Sequence, residues 1–266
     1  MMATSLQDKQ QSYAHPEALV STEWLAERLN APDIRIVDGS WYLPQQKRDP
    51  KAEYAGAHIP GAVFFDIDEI ADLDNPLPHM LPSPEKFASR VRRLGLGDGN
   101  RIVVYDGSGA SLSACRVWWM FRVFGHRDVA VLDGGFRKWQ AEGRPIEDLP
   151  PSPRDRHFTA RLDSTKVRDV QQMLGNVSQH REQVIDARSR GRFAGTDPEP
   201  RAGLRGGHIP GSVCLPYNEL HTPTGTMLPA PALRQKFIDA GVDLNKPVVT
   251  SCGSGVSACV ITLALR

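Results

Sequence analysis

Three observations predict an α/β protein built as two parallel-sheet domains. The chain contains an internal repeat, short β-rich runs alternate with helical stretches, and a proline-rich connector lies between the halves. Ala57-His58-Ile59-Pro60-Gly61-Ala62-Val63 recurs as Gly207-His208-Ile209-Pro210-Gly211-Ser212-Val213. Each copy follows a short strand ending in aspartate, over 34–38 and 184–186. Leu81-Pro82-Ser83-Pro84 answers to Leu228-Pro229-Ala230-Pro231, and each leads into an amphipathic helix that stops at a glycine, Gly95 or Gly241. Strands over 102–105 and 248–251 come next, and Ser113-Ala114-Cys115 returns as Ser257-Ala258-Cys259. Matches in the same order at similar spacing mark a duplicated domain. Alternating strands and helices argue for a parallel sheet flanked by helices. Ligands of such sheets sit beyond the carboxyl ends of the strands.

In chain order, residues 1–19 are polar and mixed in charge and read as a loose N-terminal tail. They lack the apolar core of a secretion signal and the Arg-rich pattern of a transit peptide. Residues 20–147 form the first domain and 164–266 the second. The linker, 148–163, holds Pro150, Pro151 and Pro153 among polar residues and reads as an exposed connector. Pairing Cys259 with Cys115 makes Arg266 the counterpart of Arg122, so nothing answers to 123–146. The first copy uses that stretch for a strand over 129–132, the turn Asp133-Gly134-Gly135 and a helix over 136–142. The second domain is therefore expected to lack its last strand and helix, which leaves unpaired backbone beside the gap.

Length and composition bound the function. The 266 residues are 40% hydrophobic and 24% charged, values of a globular protein. With 32 basic and 31 acidic side chains, the net charge of +1 offers no footprint for nucleic acid or an anionic membrane. No apolar run reaches the length of a membrane span. The four cysteines form no Cys-x-x-Cys pair and no disulfide framework, which fits a reducing, cytoplasmic setting. Neither a metal site nor a cofactor is expected.

The chemistry is expected at Cys252-Gly253-Ser254-Gly255-Val256-Ser257-Ala258. This turn joins the apolar run Pro247-Val248-Val249-Thr250-Ser251 to an apolar helical stretch over 258–265. Backbone N–H groups of such a turn stabilise negative charge and favour the nucleophilic thiolate of Cys252. Cys115, Cys214 and Cys259 read as buried, inert thiols. The position of Cys252 is taken in the first copy by Asp106, which cannot carry sulfur, so the first domain reads as catalytically silent. Gly107-Ser108-Gly109 lacks the G-K-[ST] ending of a phosphate loop. Trp118, Trp119 and Phe121 read as core or domain-interface residues.

The two H-I-P-G-[AS] elements, the element Asp133-Gly134-Gly135-Phe136 with Trp139, and the Cys252 turn together resemble the tandem rhodanese-domain sulfurtransferases, most of all the 3-mercaptopyruvate enzymes. The resemblance implies two rhodanese-like domains and a Cys252 persulfide. It also implies a small-molecule donor, 3-mercaptopyruvate, and a thiol acceptor such as a thioredoxin-like protein, or cyanide. It carries over Ser254 as a proton relay, with His58 and Asp49 as its partners. Ser254 can equally be a turn serine, and His58, like His208, can serve to pin the loop before its proline. Arg192 and Arg201 flank the turn-rich run 193–200, and their guanidinium groups suit a substrate carboxylate. They can also simply balance Asp197 and Glu199. Gly253, Gly255, Val256, Ser257 and Arg116 complete the expected substrate contacts, although a packing role for Arg116 at the domain contact is equally compatible. Two rivals remain: thiosulfate as donor, which calls for cations beside the cysteine, and a non-catalytic sulfur-carrier or interaction module. A cysteine phosphatase needs an arginine six residues after the cysteine, where this chain has Ala258.

Overall fold

The structure, a computed structural model, describes residues 13–266. In the first half, β1 (Leu19–Val20), β2 (Ile34–Asp38), β3 (Val63–Phe64), β4 (Arg101–Tyr105) and β5 (Val129–Leu132) form one sheet in the order β1-β5-β4-β2-β3. Every pairing is parallel. Ile102, Val103, Val104 and Tyr105 of the central strand are all fully buried, as a strand covered on both faces requires. The covering helices are α1 (Thr22–Ala26), α2 (Pro50–Gly56), α3 (Pro84–Arg93), α4 (Leu112–Val123) and α5 (Gly135–Ala141). α3 shows how local sequence fixes an element. The Ser83 hydroxyl accepts from the Lys86 N–H, Pro84 opens the first turn, and Phe87, Ala88 and Val91 turn inward. Gly95 closes the helix in the left-handed region at φ 70°.

The second half repeats this plan with α6 (Val170–Gln179), β6 (Gln183–Asp186), α7 (Arg190–Ala194), β7 (Val213–Cys214), α8 (Ala230–Asp239), β8 (Val248–Ser251) and α9 (Ala258–Ala264). Its sheet is parallel, in the order β7-β6-β8. β8 corresponds to β4, but no strand corresponding to β5 lies beside it among the described residues. A cavity of about 680 Å³ runs along this open edge between Val248, Thr250, Met173, Trp118 and Trp119. The equivalent helices α4 and α9 pack against each other, and one apolar core runs through both halves from Phe121 to Ile261.

Two boundaries differ from the sequence reading. Residues 13–19 are not a loose tail. Leu19 and Val20 form β1 against Val131 and Leu132, and the Tyr13 hydroxyl donates to the Leu228 carbonyl at 2.7 Å. The short apolar run Ala18-Leu19-Val20 is enough to add an edge strand. Residues 1–12 of the expected tail lie outside the described residues. The connector over 148–163 is not simply exposed either. Phe158 is fully buried against Phe87 and Phe121, because a lone aromatic in a polar stretch gains more from the core than from water. Gly97 permits this approach, since a methyl group there would stand 2.8 Å from the His157 carbonyl.

Candidate active site

Cys252 stands at the carboxyl end of β8, partly exposed, at the start of the turn into α9. The Gly255 N–H donates to its sulfur at 3.1 Å. Gly255 sits at φ 74°, a conformation that suits glycine and folds the chain back over the cysteine. Its carbonyl accepts from Arg116 Nη1 at 3.0 Å and from the Cys259 thiol at 3.2 Å. Both of its polar backbone groups are thus engaged within the protein. Gly255 therefore positions the sulfur through its N–H. Val256 is 3% exposed and belongs to the core, so its side chain does not face a ligand. Ser257 lies at the start of α9 and its side chain caps nothing. Gly253 is exposed.

The other thiols stand apart from this one. Burial pushes Cys259 up to about 12, against the pull of Arg116. Burial also raises fully enclosed Cys115 and, less completely, Cys214. Cys214 is half-buried rather than a core residue, with its thiol 3.7 Å from the Arg188 carbonyl. It lies on β7, a strand at the rim of the small sheet.

Arg192 is at the site. A methyl group on Gly253 would stand 2.9 Å from its Nη2. α7 carries it, and the Ser189 hydroxyl caps that helix by accepting from the Arg192 N–H. Its Nε and Nη2 both donate to Glu199 Oε2, at 3.2 and 2.6 Å. The Glu199 side chain is 4% exposed and also takes Arg188 Nη1 at 2.8 Å. Arg188 in turn pairs with Asp186 at 2.6 Å and donates to the Gly207 carbonyl. Burial pushes Glu199 up, but the two guanidinium groups outweigh it and hold the carboxyl below its ordinary value. The sequence reading missed this buried network. The signal for it was a difference between the copies: Asp186 has Arg188 two residues on, whereas Asp38 has Ser40. Arg201 makes no hydrogen bond among the described residues, and its charge acts on Asp68 of the first domain. That carboxylate accepts from Trp41 Nε1 at 3.0 Å and His79 Nε2 at 2.8 Å.

The expected relay from Ser254 through His58 to Asp49 is not assembled. The Ser254 side chain has no hydrogen-bond partner among the described residues. His58 is 1% exposed, stacks on Tyr54, donates through Nδ1 to the Tyr54 carbonyl at 2.8 Å and lies 3.7 Å from Glu147. His208 repeats the arrangement on Phe193, stacked at 3.8 Å and bonded to its carbonyl at 2.8 Å. The shared motif thus ties a loop to the helix before it in both halves. Asp49 caps α2, accepting from the Lys51 and Ala52 N–H groups. Arg116 is 4% exposed and both of its terminal nitrogens are taken by carbonyls, one in each half, which is the domain-contact arrangement the sequence also allowed.

Among the described residues no group of His, Cys, Asp and Glu could hold a metal ion, and no helix is long and apolar enough to cross a membrane. The rhodanese-like domain model matches residues 21–142 and 167–266. The 3-mercaptopyruvate sulfurtransferase of Rattus norvegicus is 46% identical over 92% of this chain and 84% of its own length. The thiosulfate sulfurtransferase of Bos taurus is also 46% identical, over 93% of this chain and 85% of its own. The crystal structure of SseA from Escherichia coli, described as a 3-mercaptopyruvate sulfotransferase with the rhodanese fold, superposes with a TM-score of 0.86 at 40% identity, covering 93% of each chain. A duplicated parallel sheet, a cysteine on the turn beyond β8 and these matches across both halves agree: the chain belongs to the family of rhodanese-like domain proteins, with one such domain in each half.

Proposed function

We propose that this chain is a sulfurtransferase that takes sulfur from 3-mercaptopyruvate and passes it to a thiol or to cyanide. One observation carries the reading: a partly exposed Cys252 whose sulfur accepts the Gly255 N–H, with the Arg192 guanidinium beside Gly253. The Cys252 thiolate attacks the donor's sulfur. An S–S bond forms and the donor's C–S bond breaks. The electron pair of that bond goes to carbon, which takes up the donor's thiol proton and leaves as pyruvate. The enzyme keeps a persulfide anion. In the second half-reaction an acceptor thiolate takes the outer sulfur and restores the Cys252 thiolate. An amide aimed at the sulfur supports negative charge on thiolate and persulfide alike. Glu199 uses Arg192 through Nε and Nη2, which leaves Nη1 for the substrate carboxylate.

Overall identity does not choose the donor, since the mercaptopyruvate and thiosulfate relatives are equally similar. The turn does. A divalent thiosulfate calls for cations just after the cysteine, and Gly253 and Ser254 supply none. The acceptor class that fits is a thiol, on a thioredoxin-like protein or a small molecule, in a reducing compartment such as the cytoplasm. The deciding experiment measures pyruvate release from 3-mercaptopyruvate with a thiol acceptor, alongside the mass of the protein after donor alone. One added sulfur atom on the wild type and none on Cys252→Ser is the expected result. An unchanged wild-type mass removes the enzymatic reading and leaves a binding module. Equal turnover of thiosulfate removes the substrate assignment.

A further inference from the structure

We propose that Arg116 is a positioning residue through which the silent first domain sets the geometry of the Cys252 turn. Arg116 lies on α4, one domain away from the nucleophile, and is buried. Its planar fork holds two backbone carbonyls at once. Nη1 donates to Gly255 at 3.0 Å in the second domain, and Nη2 donates to His79 at 2.5 Å in the first. Gly255 is the residue whose N–H meets the Cys252 sulfur. Pinning its carbonyl fixes the turn that carries that amide.

The far end of the fork is anchored as well. His79 is buried at φ 57°, a left-handed conformation that a non-glycine residue adopts only when its surroundings impose it. Its ring donates to Asp68 and meets Trp41 edge-on at 4.9 Å. The Arg116 guanidinium lies 4.8 Å from the centre of the Trp119 ring. A side chain held at both nitrogens and on one face does not drift. Lysine in its place would keep the charge but could not bridge two carbonyls in a fixed plane. The duplication supplies a related packing on the other side, although the counterpart of Arg116 there is Val260. The loop equivalent to that of His79 lies against the first domain's own turn, where Gly225 abuts the Gly109 carbonyl. Each half therefore braces the other's turn, and only one of the two turns carries a cysteine.

The inference rests on Cys252 as the nucleophile, and its test reads that thiol directly. The rate of iodoacetamide alkylation at Cys252 is followed by mass against pH, with Cys214 as internal reference. It is measured for wild type, Arg116→Lys and Gly255→Ala, together with kcat and KM for 3-mercaptopyruvate. The expected result is that Arg116→Lys moves the Cys252 alkylation profile to higher pH and lowers kcat on the order of tenfold, with KM nearly unchanged. Gly255→Ala places a methyl group 2.9 Å from Nη1 and strains a residue held at φ 74°, so it should disturb the turn at least as much as Arg116→Lys. Three results overturn the proposal: a raised KM with alkylation unchanged, which makes Arg116 a substrate ligand; full activity in Arg116→Lys, which makes charge alone sufficient; or a lower Tm with alkylation and kcat per folded molecule intact, which makes the role structural only. If Arg116→Lys does not fold, Arg116→Gln, which can still donate to one of the two carbonyls, decides by the same readouts. A shifted alkylation profile in a protein that releases no pyruvate would sustain the positioning role and remove the proposed activity instead.

Discussion

Asp106 and Cys252 end equivalent strands, and each receives an amide of its own turn. The Gly255 N–H points at the sulfur, while the Asp106 carboxylate accepts the Ser108 and Ala114 N–H groups at 2.8 Å each and the Ser108 hydroxyl at 2.6 Å. The first domain has filled its own equivalent site with the Asp106 side chain. Asp106→Ala should leave those donors buried and unmet and destabilise the protein by roughly 2–5 kcal/mol in chemical denaturation. Asp106→Cys in a Cys252→Ser background should gain no sulfur from the donor. Its turn is covered: methyl groups on Gly109 and Gly225 would stand 2.6 Å from Arg137 and 2.3 Å from the Gly109 carbonyl. A persulfide there would show that the turn opens.

Glu199 holds Arg192, the arginine proposed to bind the substrate carboxylate. Glu199→Gln should weaken the grip on Arg192 and raise KM for 3-mercaptopyruvate about tenfold with a smaller change in kcat. A change confined to kcat would contradict this.

The same carboxyl sets an acid limit. Its folded pKa lies below its unfolded one, so its stabilising contribution is present above the unfolded value, near 4.3, and is lost as pH falls through the folded value. Denaturation curves of wild type and Glu199→Gln should therefore differ at neutral pH and converge in acid. A gap that persists in strong acid would exclude this linkage.

Asp38 behaves in the opposite sense. Burial raises it to about 6, against the hydrogen bonds from Ser40, and among the described residues no arginine answers it as Arg188 answers Asp186. A carboxyl raised on folding favours the folded state when protonated. Its contribution therefore grows as pH falls from about 6 toward 4, by about 3 kcal/mol in all. Wild type should gain Tm between pH 7 and pH 5 relative to Asp38→Asn. Parallel curves for the two proteins would refute the assignment.

β8 has no strand on its outer side among the described residues, whereas β4 has β5. Fusing a copy of residues 128–142 after position 266 should supply a partner for that edge and raise Tm by several degrees. An unchanged Tm, with no new protection of the Val248 and Thr250 amides from hydrogen exchange, would count against this.

The parts of the site that were legible beforehand are local. Cys252 announces itself because a strand, a glycine turn and a helix start are written in adjacent residues. Arg192 and Glu199 are seven residues apart, and both stood in view, though not their burial against each other. The contacts of Arg116 span 139 positions to Gly255 and 37 to His79, and no periodicity or spacing marks such a pair. The role of His58 was open for a related reason: its motif is the same whether its ring faces a cleft or stacks on Tyr54.

By itself the sequence determined the duplication, the parallel sheets, the strand ends and the single candidate nucleophile, because repeats and turn chemistry are carried by neighbouring residues. Only the tertiary structure decided that Phe158 and β1 belong to the first domain, that His58 is a pin, and that Arg116 crosses between the halves. Those outcomes depend on which side chains lose water together, and that is set by packing between segments far apart in the chain.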